Sequence, residues 1–221
     1  MKPHRAPVLP AFVLHARPFR EHHWLLELLT PTEGRFTAIG RDPKPETFRL
    51  LKIRHSGRSE LKRLDDWRYT EPAQLKEGQA LLLGLHLNEL IVRLLPRHQS
   101  DEPFFGAYAS TLLSLTDPAR RTAALRFFER RLLESCGFGI DYRQAMDSGD
   151  WIQPGQSYRF DPALGFCSLG RDRDIEGASI LAMAENDWQA TDALKWGERV
   201  HRARIEHLLE GRRLVSRDWV F

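Results

Sequence analysis

Over roughly the first 65 residues apolar and polar positions alternate in short runs, and beyond Gly78 the apolar positions recur every three or four residues. A period of two marks strands and a period near 3.6 marks helices, so the chain reads as a β part followed by a helical part. Ala11 to Ala16 alternates after Pro10, with Phe12 and Leu14 on one side and Val13 and His15 on the other. That is the pattern of a half-buried strand. Trp24 to Thr30 is a second apolar run, TPTEG a turn, and Arg35 to Ile39 a third short strand, which together predict a hairpin. A helical stripe can also be drawn through WLLELLT. Pro43 and Pro45 bracket Lys44 in a loop that is neither helix nor central strand. Phe48 to Arg54 predicts a fourth strand, HSGRS a turn, and Glu60 to Leu64 a fifth. Five short strands in succession suggest a small barrel of OB type.

After Gly78, Leu83, Leu87, Leu90, Ile91 and Leu94 repeat at helical spacing until Pro96. Phe104 to Leu115 predicts a second helix. Asp117-Pro118 reads as an N-cap with proline at the first helical position, opening a third helix that runs to Cys136 and stops at Gly137. Short connections make these helices neighbours in a bundle. Asp147 to Leu169, rich in glycine and proline with aromatic islands, predicts irregular hairpin structure. Gly177 to Ala184 and Thr191 to Leu209 return to helix. The expected class is α+β: an OB-type β-barrel domain over residues 1–75, then a helical domain over 76–221 with a small irregular β-rich insert at about 145–172.

Charge changes this picture at one place. Gly34 to Leu64 holds nine Lys or Arg against three acids, a local +6 in a chain whose formal total is +3. Apolar residues sit between the charges, so the segment reads as a folded surface that attracts a polyanion. Other chemistry is sparse. Cys136 and Cys167 make neither a disulfide framework nor a CxxC knuckle and read as two reduced, buried thiols. No apolar run reaches the roughly 18 residues of a membrane span. The proline-punctuated N-terminus is unlike a signal peptide, so the expected place is the cytoplasm. There is no GxGxxG, P-loop or GxSxG elbow. His86 and Glu89 lie i,i+3 and read as a solvated helix face. His22-His23 would point to opposite faces of a strand, and Asp65-Asp66 reads as a turn at a strand end. No catalytic set emerges, which favours a binding protein without enzymatic activity over a hydrolase with a cryptic site.

Five blocks carry a family likeness. AFVLHARPFREHHWLLELLTPTEGR resembles the opening of the RecO family of DNA repair proteins, and SGRSELKRL resembles that family's GRGELK turn and strand. GLHLNELIVRLLP is similar to its GLYLNELLxRLLP helix, and ALRFFERRLLESCGFG to its LRRFExxLLxxLGYG helix and stop. LLEGRRLVSRDW resembles its GxKxLxSRE ending. The blocks stand in family order and span nearly the whole chain.

The resemblance implies an N-terminal OB domain, a helical domain, and an inserted element that binds zinc in some members. It implies binding of single- and double-stranded DNA, annealing of complementary strands, and contact with RecR. It further implies binding to the C-terminal tail of the single-stranded DNA-binding protein and help in loading RecA on coated DNA. Two departures stand out. The stretch before GRSELK is shorter than in the family and lacks a PFxPLxxxxRG segment. Where the zinc-binding members begin their cysteine cluster this chain has Met146, followed by Asp147-Ser148-Gly149, and Cys167 stands alone. Structural zinc takes about four ligands, so no zinc and no other cofactor is expected.

The candidate DNA contacts are Arg17, Arg35, Arg41, Lys44 and Arg49, continued by Lys52, Arg54, Arg58 and Lys62. By resemblance, Arg41 and Lys44 fall where the family's DNA-contacting basic loop lies. Trp24, Phe36 and Phe48 read either as stacking faces for bases or as barrel core. The candidate protein-tail site is Arg126, Arg130 and Phe127. Arg126 and Arg130 are spaced i,i+4 beside apolar residues, as suits a peptide ending in an aromatic and a free carboxylate. Arg126 matches the family position serving that tail, and it is equally placed to pair with Glu129 or Glu134 in the open. The alternative reading of the whole chain is a protein-binding adaptor whose barrel no longer binds DNA strongly. The cluster Lys195, Arg199, Arg202, Arg204, Arg212 and Arg213 fits either an extended DNA surface or the solvated side of a helix.

Overall fold

Alternating residues build five strands: β1 (Leu9–Arg20), β2 (His23–Thr30), β3 (Gly34–Arg41), β4 (Leu51–Ser56) and β5 (Leu61–Tyr69). They form a closed barrel in the order β1-β2-β3-β5-β4. All neighbours run antiparallel except β3 and β5, which pair in parallel, Thr37 with Leu61 and Ile39 with Arg63. The computed structural model describes residues 7–57, 59–71, 75, 77–190 and 192–220. Closure leaves no open sheet edge and turns Val13, Leu26, Leu28, Phe36, Ala38 and Ile53 into one dry core.

The WLLELLT stripe is therefore strand, its burial supplied by the barrel on one side and helices on the other. β4 begins at Leu51 and not at Phe48, which sits in the preceding turn with φ 57 and is 1% exposed. Phe36 is likewise core at 0% exposure, so neither ring offers a stacking face. Asp65 and Asp66 lie inside β5, where a bulge lets two residues oppose one on β4. Ser56 Oγ donates to Asp65 at 3.0 Å, and Arg54 approaches Asp66 at 3.6 Å. His22 is in the turn, with φ 58, and not in a strand.

Six helices and a small sheet follow: α1 (Gly78–Leu94), α2 (Glu102–Ser114), α3 (Arg121–Ser135), β6 (Ser157–Asp161), β7 (Gly165–Cys167), β8 (Ile175–Glu176), α4 (Gly177–Ala184), α5 (Ala193–Leu209) and α6 (Arg217–Val220). The sheet order is β7-β6-β8. The class is the expected α+β. The expected N-cap at Asp117 is displaced: Asp117 to Arg120 form a turn and α3 starts at Arg121. Capping by an acidic side chain occurs instead at Asp101, which accepts from Phe104 N at 2.8 Å to open α2. Cys136 is half-buried and Cys167 buried, and the two are not joined in a disulfide.

The chain divides into two compact units, Met1–Pro118 with Leu214–Phe221, and Ala119–Arg213. In the first, α1 joins the barrel to the C-terminal residues. Asn88 donates to Leu14 O at 2.8 Å and accepts from Tyr108 Oη at 2.6 Å, serving the carbonyl exposed by the bulge between Val13 and His15. Glu89 accepts from Val215 N at 3.0 Å and Ser216 N at 2.8 Å, and His86 Nδ1 meets Ser216 Oγ at 2.8 Å. His86 is 2% exposed, so the pair expected on a solvated face is instead the clasp that holds the chain's end. Burial works against the Glu89 charge, but the Ser216 and Val215 bonds prevail and hold its carboxyl below the ordinary value.

Candidate nucleic-acid interface

Strand register assigns each basic residue to a face. In a strand, alternate side chains leave on opposite sides, and the core positions fix which side is inside. Across β1, β2, β3 and β5 the outward rows are His15–Glu27–Thr37–Leu61 and Arg17–Leu25–Ile39–Arg63. Past the bulge between Pro18 and Arg20 comes a third row, Arg20–His23–Arg41. One side of the barrel thus carries an apolar centre, Leu25 and Ile39, framed by arginines. Arg17, Arg20 and Arg41 are exposed and have no acidic partner among the described residues. The Arg63 side chain is 81% exposed and stands 3.5 Å from Asp65.

The loop after β3 packs at the end of the barrel, on Trp24. Asp42 accepts from Trp24 Nε1 at 2.7 Å and meets His22 Nδ1 at 3.1 Å. The Trp24 bond, then the His22 bond, holds its carboxyl below the ordinary value. Thus anchored, the loop sets the Lys44 ammonium 5.4 Å from the Trp24 ring centroid, a cation–π distance. Trp24 is only partly buried and packs against the barrel core.

The other expected contacts fall elsewhere. Lys52 and Arg54 leave β4 on the opposite side, where Lys52 stands across from Arg68 and Arg54 from Asp66. Lys52 and Arg68 are exposed and unpaired among the described residues, but Asp65 and Asp66 temper that side. Arg49 lies flat on Tyr69, 3.6 Å from its ring centroid, and donates to Glu71 O at 2.7 Å. Lys62 faces inward at the barrel mouth and donates to Gly57 O at 3.2 Å. Arg58 lies outside the described residues.

Arg35 shares the outward parity of Arg41 yet is 8% exposed. The segment after α1 covers it: Arg35 pairs in parallel with Arg97, and its guanidinium donates twice to Leu95 O, at 3.1 and 2.7 Å, and bonds Glu27. Glu27 also accepts from Arg97 Nη2 at 3.0 Å and Thr37 Oγ1 at 2.9 Å. Gly34 makes this cover possible, since with φ +65 a Cβ there would lie 2.1 Å from Gln99 O. Arg35 therefore closes the structure and presents no free guanidinium to a phosphate. Arg20, Arg63, Arg68 and Arg97 were not among the expected contacts. Parity counted from the buried strand positions marks the first three, whereas Arg97 gives no local signal.

In the second unit the tail-site residues are turned inward. Arg126 is 1% exposed and pairs with Glu129 at 3.1 Å. The partner is one of the two expected, but the pair is buried and not in the open. His201 Nδ1 meets the same carboxylate at 3.1 Å, and its Nε2 meets Tyr142 Oη at 2.7 Å. Burial lowers the His201 pKa and raises that of the Tyr142 hydroxyl. Arg130 pairs with Glu134 at 3.0 Å and donates to Met183 O at 2.7 Å and Ala184 O at 2.8 Å. Phe127 is half-buried. On α5, Arg199 bonds Asp174, Arg202 bonds Glu206, and Arg204 donates to Ala163 O at 2.8 Å. Near the insert, Asp147 accepts from Ser168 N and Leu169 N, both at 2.9 Å. Among the described residues no three His, Cys, Asp or Glu side chains gather as a metal site would require. Among the same residues no helix is long and apolar enough to cross a membrane.

Comparison with known proteins adds a relationship to this geometry. Residues 75–210 match the family described as the C terminal of recombination protein O. A protein of Coxiella burnetii called DNA repair protein RecO is 36% identical over 98% of this chain and 99% of its own length. Proteins of the same name from Stutzerimonas stutzeri, at 37% identity over 95% and 91%, and Cellvibrio japonicus, at 35% over 97% and 96%, are similar throughout.

Proposed function

The chain belongs to the RecO family of DNA repair proteins, and from that premise we propose that its barrel binds DNA through the face made by β1, β2 and β3. The role lies in DNA repair and recombination. The observation that carries the proposal is the set Arg17, Arg20 and Arg41, three exposed guanidiniums without acidic partners among the described residues, on one side of a closed barrel. Lysines and arginines that neutralise phosphates release condensed counterions, which supplies affinity without sequence preference. That suits a protein acting on whatever strand is damaged. Lys44, held over Trp24, extends the track from the end of β3.

On this reading the chain takes single- and double-stranded DNA, anneals complementary strands, and helps load RecA where the single-stranded DNA-binding protein coats the strand. RecR and the C-terminal tail of that coating protein are its proposed partners. For the tail, the half-buried Phe127 is the residue of the expected set to test, since removing Arg126 breaks a buried pair and confounds binding with folding.

The deciding experiment is the affinity of the full chain for labelled single-stranded DNA across salt concentrations. Arg41→Glu with Lys44→Glu is expected to weaken binding about tenfold or more and to flatten the salt dependence by about 0.7 in log–log slope per lost phosphate contact. Unchanged affinity and slope would remove this face from the interface.

A further inference from the structure

At one end of this face the barrel is concave. A cavity of about 490 Å³ opens over the row His15–Glu27–Thr37–Leu61, between the strands and the segment that follows α1. Its size falls in the roughly 300–1,000 Å³ of small-ligand clefts. Leu25 lies in its floor, and Phe19 and Leu61, each 40% exposed, flank it. The rim brings three uncommitted polar side chains together from distant parts of the chain. His15 and Arg17 come from β1 and His98 from the segment after α1, and none makes a side-chain hydrogen bond or ion pair among the described residues.

The floor's acid, Glu27, is spoken for by Arg35, Arg97 and Thr37, so two guanidiniums offset one carboxylate there. The other acid at the cavity, Glu60, makes no side-chain bond among the described residues and can accept a hydrogen bond from an exocyclic amine. A second cavity of the same unit, about 390 Å³ between α1 and α6, makes a useful contrast. There Asn88 is taken up by Leu14 O and Tyr108 Oη, Glu89 by Val215 N and Ser216 N, and Ser216 Oγ by His86, so little of their recognition chemistry is left over.

We propose that the cavity is a base-capture pocket: one unpaired base of a bound single strand leaves the stack and lodges against Phe19, Leu25 and Leu61, with its phosphate held by Arg17 and His98. The continuity is geometric. The row Arg17–Leu25–Ile39–Arg63 adjoins the pocket, so a strand tracking along the arginines reaches its mouth without a change of direction. Every base has an apolar π-face, so such a pocket grips single strands irrespective of sequence, and a fully paired duplex cannot fill it. This rests on the DNA-binding reading of the same face.

The test compares two labelled single strands of equal length and charge, one intact and one with abasic residues, on the full chain and on Phe19→Ala and His98→Asn. Asparagine is chosen because His98 has φ 59, which asparagine tolerates. The unmodified chain is expected to prefer the intact strand, and Phe19→Ala to lose about tenfold on the intact strand and little on the abasic one. A strand carrying one 2-aminopurine is expected to change its fluorescence on binding the unmodified chain and not on binding Phe19→Ala. Equal losses on both strands, or no loss at all, overturn the pocket while leaving the arginine face standing. Failure of the unmodified chain to bind either strand overturns both.

Discussion

The arginines of the two units are put to opposite uses. On the barrel, Arg17, Arg20 and Arg41 are exposed and free of acids. In the second unit, Arg126 is 1% and Arg204 6% exposed, and Arg130 spends its guanidinium on backbone carbonyls. Those carbonyls, of Met183 and Ala184, end α4, where a helix leaves its last acceptors unmet. Arg204 does the same for Ala163 in the turn between β6 and β7. A guanidinium has five N–H donors in a fixed fork, and burying it requires acceptors to match. The second unit supplies most of them from its own backbone and from Glu129 and Glu134, with Arg126 Nε and Arg204 Nε left unmet among the described residues. Around Arg17, Arg20 and Arg41 the described residues of the barrel's outer face supply none, which leaves those arginines available to phosphates. Composition cannot distinguish the two uses; only the acceptors within reach can.

The comparison is broken most forcefully by Arg126→Ala. Removing one partner of a buried pair leaves Glu129 uncompensated, and the expected cost is about 3–5 kcal/mol of folding stability. Arg41→Glu, by contrast, is expected to stay within about 0.5 kcal/mol, as surface substitutions do. Thermal or denaturant unfolding of the two variants side by side checks this. An Arg126→Ala protein that melts like the original would show that the second unit's arginines are as dispensable as the barrel's.

Gly34→Ala probes Arg35, a barrel arginine that behaves like those of the second unit. Its Cβ would meet Gln99 O at 2.1 Å, and its backbone is left-handed. The strained backbone alone costs about 1–3 kcal/mol. The cover over Arg35 must then shift, so stability and DNA affinity are expected to fall together, whereas Arg41→Glu lowers affinity alone. A stable variant with normal affinity would mean that the cover does not depend on the close approach at residue 34.

Within the barrel, the two sides should differ by less. Arg17→Glu is expected to weaken single-strand binding about tenfold, and Lys52→Glu by no more than a few-fold, because Asp65 and Asp66 already temper the β4–β5 side. Reversed order in a salt titration would move the interface to that side.

How much of this was legible beforehand follows from how far apart the deciding residues are. Most strands and helices were readable from period, because burial of one face is a local pattern, although WLLELLT fitted both periods and β4 and α3 start later than expected. The family likeness likewise rested on contiguous blocks. What the pattern could not assign was the fate of individual arginines. Arg35 and Arg41 are on one strand with the same parity, yet a segment some 60 residues later covers the first and not the second. The Gly34–Leu64 charge read as one surface; parallel pairing of β3 with β5 wraps it around a barrel and divides it between two sides. The spacing of Arg126 and Arg130 suits a peptide's carboxylate, yet Arg126 is buried against Glu129, which also meets His201, 72 residues beyond it. Asn88 and Glu89 stood in a recognisable helix motif, but their partners, Leu14 and residues 215–216, lie at the two ends of the chain.

The smallest expected effect concerns that same histidine. His201 is wholly buried, facing Glu129 at Nδ1 and Tyr142 at Nε2, with the Trp188 ring 6.0 Å away and the Arg126 and Arg130 charges near. A neutral ring meets both polar partners, donating from Nδ1 to the carboxylate and accepting the tyrosine proton at Nε2. Burial, opposed by Glu129, holds its pKa below the ordinary 6.5. Above that pH the ring is neutral in both folded and unfolded chains and contributes no pH dependence. Below it, the unfolded chain takes up a proton that the folded chain resists, so stability declines as pH falls from about 6.5 toward the folded pKa. His201→Gln, which can still donate and accept, is expected to be less stable at neutral pH but to show a shallower decline in melting temperature between about pH 7 and pH 5. Parallel curves for the two proteins would mean that the ring takes its proton at the same pH folded as unfolded, and a steeper decline for His201→Gln would mean that it is already charged when folded. The second unit would then bury a third cation beside Arg126 and Arg130, and its contrast with the barrel would be sharper still.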